Sequence, residues 1–201
     1  ACFFHDTGMS FTMGERHGKE SKQLCQKFFN ANQIQTPINY SSALDAIEHH
    51  DNKNYPENSD NRETSIKTIL SIADDLDAFG YIGILRYAEI HLLRETPFNG
   101  LSNTIINNAE KRFLHFKTNF KAFPHLLKKH YKRLEILIHF YKHLNDNTEN
   151  QKLIEQVKKN IEEKRAINLT DLVSGYAEYK SYFLEFENNV KKEMAIFEDK
   201  I

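Results

Sequence analysis

Tryptophan is absent from this 201-residue chain, and cysteine, proline and glycine are scarce, at two, four and seven residues. Cys2 and Cys25 form no CxxC pair, which excludes a disulfide framework and fits a reducing, cytoplasmic setting. So few glycines and prolines exclude a sheet-rich fold that reverses direction every ten residues, and an all-α chain is expected. No apolar run is long enough to span a bilayer and no signal peptide is visible, so no membrane partner and no export are expected. A formal net charge of −1 excludes a dedicated polyanion scaffold, and nucleic acid is not expected as the main partner. The chain also lacks an initiator methionine: it opens on Ala1-Cys2-Phe3-Phe4, as though inside a core helix, and residues ahead of it are expected to be missing or removed.

What is present divides by charge. Residues 1–97 carry nine Lys+Arg against fourteen Asp+Glu, a net of −5, and residues 98–201 carry eighteen against fourteen, a net of +4. The break lies at Glu95-Thr-Pro97-Phe-Asn-Gly100-Leu-Ser-Asn103, which has turn chemistry followed by an N-cap candidate. This predicts an acidic, motif-bearing domain at 1–97 and a basic helical extension at 98–201. In the first part, helices are expected at 1–6, 17–32, 41–51, 64–78 and 81–94, with the polar segment Asp51–Asn61 as a linker or lid. The second part shows four helical stripes, of which the clearest are Ile106, Ala109, Phe113, Phe116, Phe120 and Leu127, Tyr131, Leu134, Ile138, Tyr141. A shorter stripe is Ile154, Val157, Ile161; the longest runs from Leu172 to Phe197. Such stripes bury against one another, so the extension is expected to be an antiparallel helical bundle, with a homodimer seam left open along the last helix.

The chemistry gathers in the first hundred residues. His5-Asp6 follows an apolar run, His50 follows Ala43 and Ile47 on one helical face, and Asp74 follows Leu70. Taking Ile66, Leu70 and Ala73 as the inward stripe, Asp74 and Asp77 border the buried face and Asp75 turns to solvent. Carboxylates and imidazoles on core faces are costly without a compensating cation or donor network. Mixed His and Asp donors suit Mn, Fe, Co, Ni or Mg better than a thiolate zinc site does. Core packing, helix capping and an Asp77–Arg86 pair are the ordinary alternatives, and His49 reads as the solvated neighbour of His50. The run Lys128-Lys129-His130-Tyr131-Lys132-Arg133 is the most basic point; it reads as a solvated face or a positive rim for an anionic substrate.

Taken together, Phe3-Phe-His5-Asp6-Thr-Gly8, His17 with Ser21, Ala46-Ile47-Glu-His49-His50, and Ile72-Ala73-Asp74-Asp75-Leu76-Asp77-Ala78-Phe79-Gly80 with Gly83-Ile-Leu-Arg86 resemble the HD-domain superfamily of metal-dependent phosphohydrolases, over about residues 1–94. The resemblance implies one or two divalent metals (Mn, Fe, Co, Ni or Mg) held by His5, Asp6, His17, His50 and Asp74, with Asp6 bridging in a binuclear member. It implies hydrolysis of a small phosphorylated substrate, a nucleotide among the candidates, by metal-activated water. Asp77 and His49 are the candidates to orient ligands or relay a proton, and Arg86 to assist phosphate. The family pattern also has a histidine on a helix ahead of the His-Asp pair; nothing in this sequence matches it, and truncation is the expected reason. A degenerate HD fold serving as a binding or interaction module, and an HD-type di-iron oxygenase, are the alternatives.

Overall fold

A computed structural model describes residues 1–12, 16–52, 65–163 and 182–198. The described residues hold eight α-helices and no strand: α1 His17–Ala31, α2 Tyr40–His49, α3 Ile66–Asp77, α4 Gly80–Leu93, α5 Phe98–Asn119, α6 Pro124–Lys142, α7 Thr148–Glu162 and α8 Tyr182–Glu198. The fold is all-α, as the scarcity of turn-formers predicts. Leu172, Tyr176 and Tyr179 of the last stripe, and most of the segment read as a linker or lid, lie outside the described residues.

Two expected elements differ. Residues 1–6 are not a helix: they form a single turn, in which the Phe4 and His5 N–H groups donate to the Ala1 carbonyl at 2.9 and 3.1 Å, followed by a 3₁₀ turn at Thr7–Ser10. Six residues running into Thr-Gly are too few to offset helix nucleation. The segment read as a charge boundary is the opening of α5, with Pro97 at its N-cap and Gly100 within its first turn. Proline is tolerated at a helix start, where its missing N–H has no intrahelical partner to lose. The reversal ahead of it is made by Glu95, at φ 58°.

The chain forms two compact units, Ala1–Asp75 and Leu76–Ile201, so packing divides it within α3 while charge composition divides it near residue 97. The first unit has a small apolar core of Cys25, Leu44, Ala46, Ile47 and Leu70, flanked by Phe4, Phe29, Tyr40 and Ile66. Here α1 packs on α2 and on the 3₁₀ turn.

The second unit is built around α4. Gly83, Ile84, Leu85, Tyr87, Ala88 and His91 are all buried, so α4 is buried on nearly every side, and it packs against α5, α6, α7 and α8. Phe79, Leu101, Ile105, Leu137, Tyr141 and Ile154 complete a much larger core. The Tyr141 hydroxyl donates to the Ile84 carbonyl at 2.6 Å, so even its polar end is satisfied.

Arg133, expected on the exposed basic rim, is buried. Its guanidinium donates to the carbonyls of Leu76 at 2.9 Å and Phe79 at 2.8 Å, and to Glu193. The Glu193 carboxylate in turn accepts the Tyr81 and Ile82 N–H groups at 2.9 and 3.3 Å, capping the start of α4. Gly80 sits beneath that carboxylate at φ 75°, where a Cβ would approach Glu193 Oε1 to 2.1 Å. Only glycine fits both constraints.

Candidate metal centre

Four elements of the first unit deliver the cluster. The turn before Thr7 carries His5 and Asp6, the first residue of α1 is His17, and His50 ends α2; Asp74 comes from α3. Asp6 is at the middle. Its Oδ1 lies 3.1 Å from His50 Nε2 and 3.7 Å from His17 Nε2, while its Oδ2 lies 3.3 Å from His5 Nε2. His5 Nε2 is 3.7 Å from Asp74 Oδ1, and the Nε2 atoms of His17 and His50 are 3.2 Å apart. One carboxylate oxygen therefore faces the His17–His50 pair and the other faces His5, which in turn neighbours Asp74. All five residues expected as ligands come together.

The tautomers are set from behind. His5 Nδ1 donates to the Cys2 carbonyl and His50 Nδ1 to the Ile47 carbonyl, each at 2.8 Å. A carbonyl can only accept, so in the neutral rings the proton sits on Nδ1 and the Nε2 lone pair points into the cluster. A backbone carbonyl behind the ring is the arrangement that orients metal-ligating histidines. Donors about 2.1 Å from a common cation stand roughly 3.0–3.4 Å apart in octahedral or tetrahedral geometry, and the separations observed are 3.1–3.7 Å. The donor atoms of His5, Asp6 and His50 all lie within 4.8 Å of one another. The donor set thus suits a hard or borderline divalent cation in type, with separations from within that octahedral or tetrahedral range to somewhat above it.

Charge in the cluster is coupled. Burial opposes charging of His5, but its contact with Asp74 and the Asp6 charge outweigh that and raise its pKa. For Asp6, burial favours the acid form, yet the His50 contact and the His5 charge win and lower its pKa. Both shifts favour a charged His5 beside a charged Asp6.

The scaffold behind these donors is tight. His17 and His50 are 2 % and 1 % exposed, and Ser21, one turn after His17, is fully buried. Ser21 Oγ accepts the Gly8 N–H at 2.7 Å, which locks the His5-Asp6 turn onto α1. A Cβ on Gly8 would lie 2.1 Å from the His17 carbonyl oxygen, and one on Gly18 would lie 2.3 Å from the Glu48 carbonyl oxygen. These two glycines set how closely the turn and α2 approach α1. Across the α1–α2 contact Lys22 pairs with Glu48 at 2.6 Å. Sequence reasoning named Gly8 and Ser21 without a role; the signal available was the i, i+4 spacing that puts Ser21 on the His17 face.

The other candidates lie elsewhere. His49 is on the outer face of α2, its Nδ1 3.2 Å from Asp45 Oδ1. Asp77, with its side chain 59 % exposed, accepts from Arg86 Nη1 at 2.8 Å within the second unit. The expected orientation of α3 is corrected: Asp75 is fully buried and Asp77 is exposed. Ala73 is exposed along with Ile69, so the ridge 69–73–77 faces solvent, while Ser71 and Asp75 share the buried ridge and Leu70 and Asp74 the one beside it. Choosing Ala73 as an inward position carried Asp77 inward with it.

No family model, no curated protein and no solved structure matches this chain. The site is read from its own geometry.

Proposed function

We propose that the protein is a metal-dependent phosphohydrolase, cleaving a phosphate ester of a nucleotide or another small molecule. The observation that supports this most is the division of Asp6: one carboxylate oxygen faces His17 and His50, the other faces His5 and, beyond it, Asp74. A bridging carboxylate between two sets of N and O donors is what a two-cation phosphoryl-transfer site requires. Bound divalent cations supply Lewis acidity to the phosphoryl oxygens and lower the pKa of water towards neutrality.

The chain's own residues have the remaining tasks. Asp6 and Asp74 would provide the negative charge that retains the cations, and His5, His17 and His50 would provide nitrogens, those of His5 and His50 held in one tautomer by the Cys2 and Ile47 carbonyls. The two carboxylates beside His5 raise its pKa, and any proton on its Nε2 must leave for that atom to become a ligand, so cation binding would compete with acid. His5 and Asp6, with side chains 20 % and 27 % exposed against near-complete burial of His17 and His50, form the side of the cluster nearest to solvent.

The test is hydrolysis of a panel of phosphomonoesters, phosphodiesters and nucleoside triphosphates by protein reloaded with Mn, Fe, Co, Ni or Mg. Turnover that chelator abolishes, and that Asp6→Ala and Asp74→Ala both lack, is the expected result. Hydrolysis that survives both substitutions overturns the proposal, as does a chain that binds the cations and turns over none of the panel. Because His17 and His50 complete an all-N,O set that also suits two irons, a chain that is inactive on phosphates and consumes oxygen only with iron would instead favour an oxygenase.

A further inference from the structure

A second pair of imidazoles stands apart from the cluster in the first unit. His139 lies in the last turn of α6, and His143 is its C-cap residue, four positions on. Residues at that spacing share a helix face. Their ring centres are 4.7 Å apart, with 55° between the planes. Both residues are exposed, and neither ring enters a hydrogen bond or an ion pair among the described residues.

The spacing is that of two ligands on one ion. With nitrogen about 2.1 Å from a metal, an imidazole centre lies about 3.2 Å from it, so two rings at about 95–110° have centres about 4.7–5.2 Å apart. The His17 and His50 rings, whose Nε2 atoms are 3.2 Å apart, have centres 5.0 Å apart. A protonated histidine also suits a helix C-terminus, which accounts for one ring but not for two side by side. Two imidazolium charges this close repel each other, whereas two neutral rings can each turn a lone pair to a shared cation.

The surroundings favour that cation. The pair sits at the negative pole of the α6 dipole. It lines a cavity of about 1150 Å³ together with the carboxylates of Glu110, Glu135, Asp146 and Glu185, set against the ammonium groups of Lys132 and Lys142. Acidic side chains therefore outnumber basic ones around the rings. Among the described residues, His5, Asp6 and His50 are the only three such donors close enough to share an ion. Here the two rings are the ligands, water completes the shell, and the carboxylates act through their charge.

We propose that His139 and His143 chelate a divalent transition cation that prefers nitrogen, copper(II) or zinc. Imidazole donors without a coordinated carboxylate select that end of the series, whereas magnesium and manganese prefer oxygen. The site lies wholly within the second unit and does not depend on the phosphohydrolase reading. Two nitrogens hold an ion less firmly than a set of five donors does, so this ion is read by titration and not by retention through gel filtration.

The test is calorimetric titration of the full chain, His139→Ala, His143→Ala and Asp6→Asn with copper(II), zinc and magnesium chlorides, at neutral pH in a buffer that does not bind metal. The unaltered chain is expected to take up one equivalent of copper(II) or zinc that each histidine substitution weakens at least tenfold, because losing either ring removes the chelate. Asp6→Asn is expected to keep that equivalent, and magnesium to leave the pair empty. Circular dichroism is expected to be unchanged in both histidine variants, since both positions are exposed. No such equivalent in the unaltered chain overturns the proposal. So does an equivalent that both histidine variants retain at full affinity, one that Asp6→Asn loses, which would place the ion in the first unit, or magnesium bound by the pair as tightly as copper(II).

Discussion

Each unit buries charge, but in opposite ways. In the second unit Arg133 and Glu193 pair, and each also satisfies backbone groups: the carbonyls of Leu76 in α3 and of Phe79 just ahead of α4, and two N–H groups at the start of α4. Donors and acceptors balance there. In the first unit the core is small, and beside it two carboxylates and three imidazoles converge, with Nδ1 of His5 and of His50 spent on backbone carbonyls. A satisfied internal pair joins secondary structure. Converging carboxylates and imidazoles are the donor set a divalent cation would take, and that is the role proposed for this cluster.

The largest expected effect breaks the structural side of the comparison. Arg133→Met leaves the Glu193 carboxylate buried without its cation, at a cost of about 3–5 kcal/mol in urea denaturation. Asp6→Asn in metal-free protein, by contrast, costs about 1 kcal/mol or less, because its carboxylate is partly exposed and water offsets most of its ion pairing. Equal costs would mean that the two clusters are alike.

Next in size is an acid effect confined to the second unit. His130 is buried beside Arg133, which donates to its Nδ1 at 3.3 Å; burial and the Arg133 charge lower its pKa to about 4. The folded state then binds fewer protons than the unfolded state between about pH 6.5 and pH 4, so stability is full above that window and falls as pH is lowered through it. The expected loss is about 3 kcal/mol, read as a decrease in the urea midpoint. His130→Gln flattens this slope if the assignment holds.

Ser21→Ala sharpens the functional side. It leaves the Gly8 N–H buried without an acceptor, for about 1–3 kcal/mol of stability. It also frees the Asp6 turn, so divalent-metal affinity falls roughly tenfold or more by calorimetry, while Ser21→Thr recovers part of both. The smallest effects belong to the surface pairs. Asp77→Ala costs about 0.2–1 kcal/mol and, like His49→Ala, leaves metal stoichiometry unchanged.

Much of this was legible in the sequence. His5 and Asp6 follow an apolar run, and His17, His50 and Asp74 begin or follow an apolar helical stripe, where a polar residue advertises itself. The rotation of α3 was not legible, because Ala73 suits a core and a surface equally and only packing decides which ridge turns in. Arg133 was hidden within a basic run, since periodicity cannot show that a carboxylate sixty residues away, Glu193, waits for one member of the run. Ser21 and the glycines at 8 and 18 were visible as letters, but their roles lie in close approaches between elements, which spacing along one chain does not report.

The most direct test of the central claim is the divalent-metal content of chelator-free protein and of Asp6→Asn, by elemental mass spectrometry after loading and gel filtration. With Asp6 shared between two donor sets, the protein retains about two equivalents and Asp6→Asn loses most of both. Retention of the same metal by Asp6→Asn, or none by either protein, would contradict a cation centre built around that carboxylate.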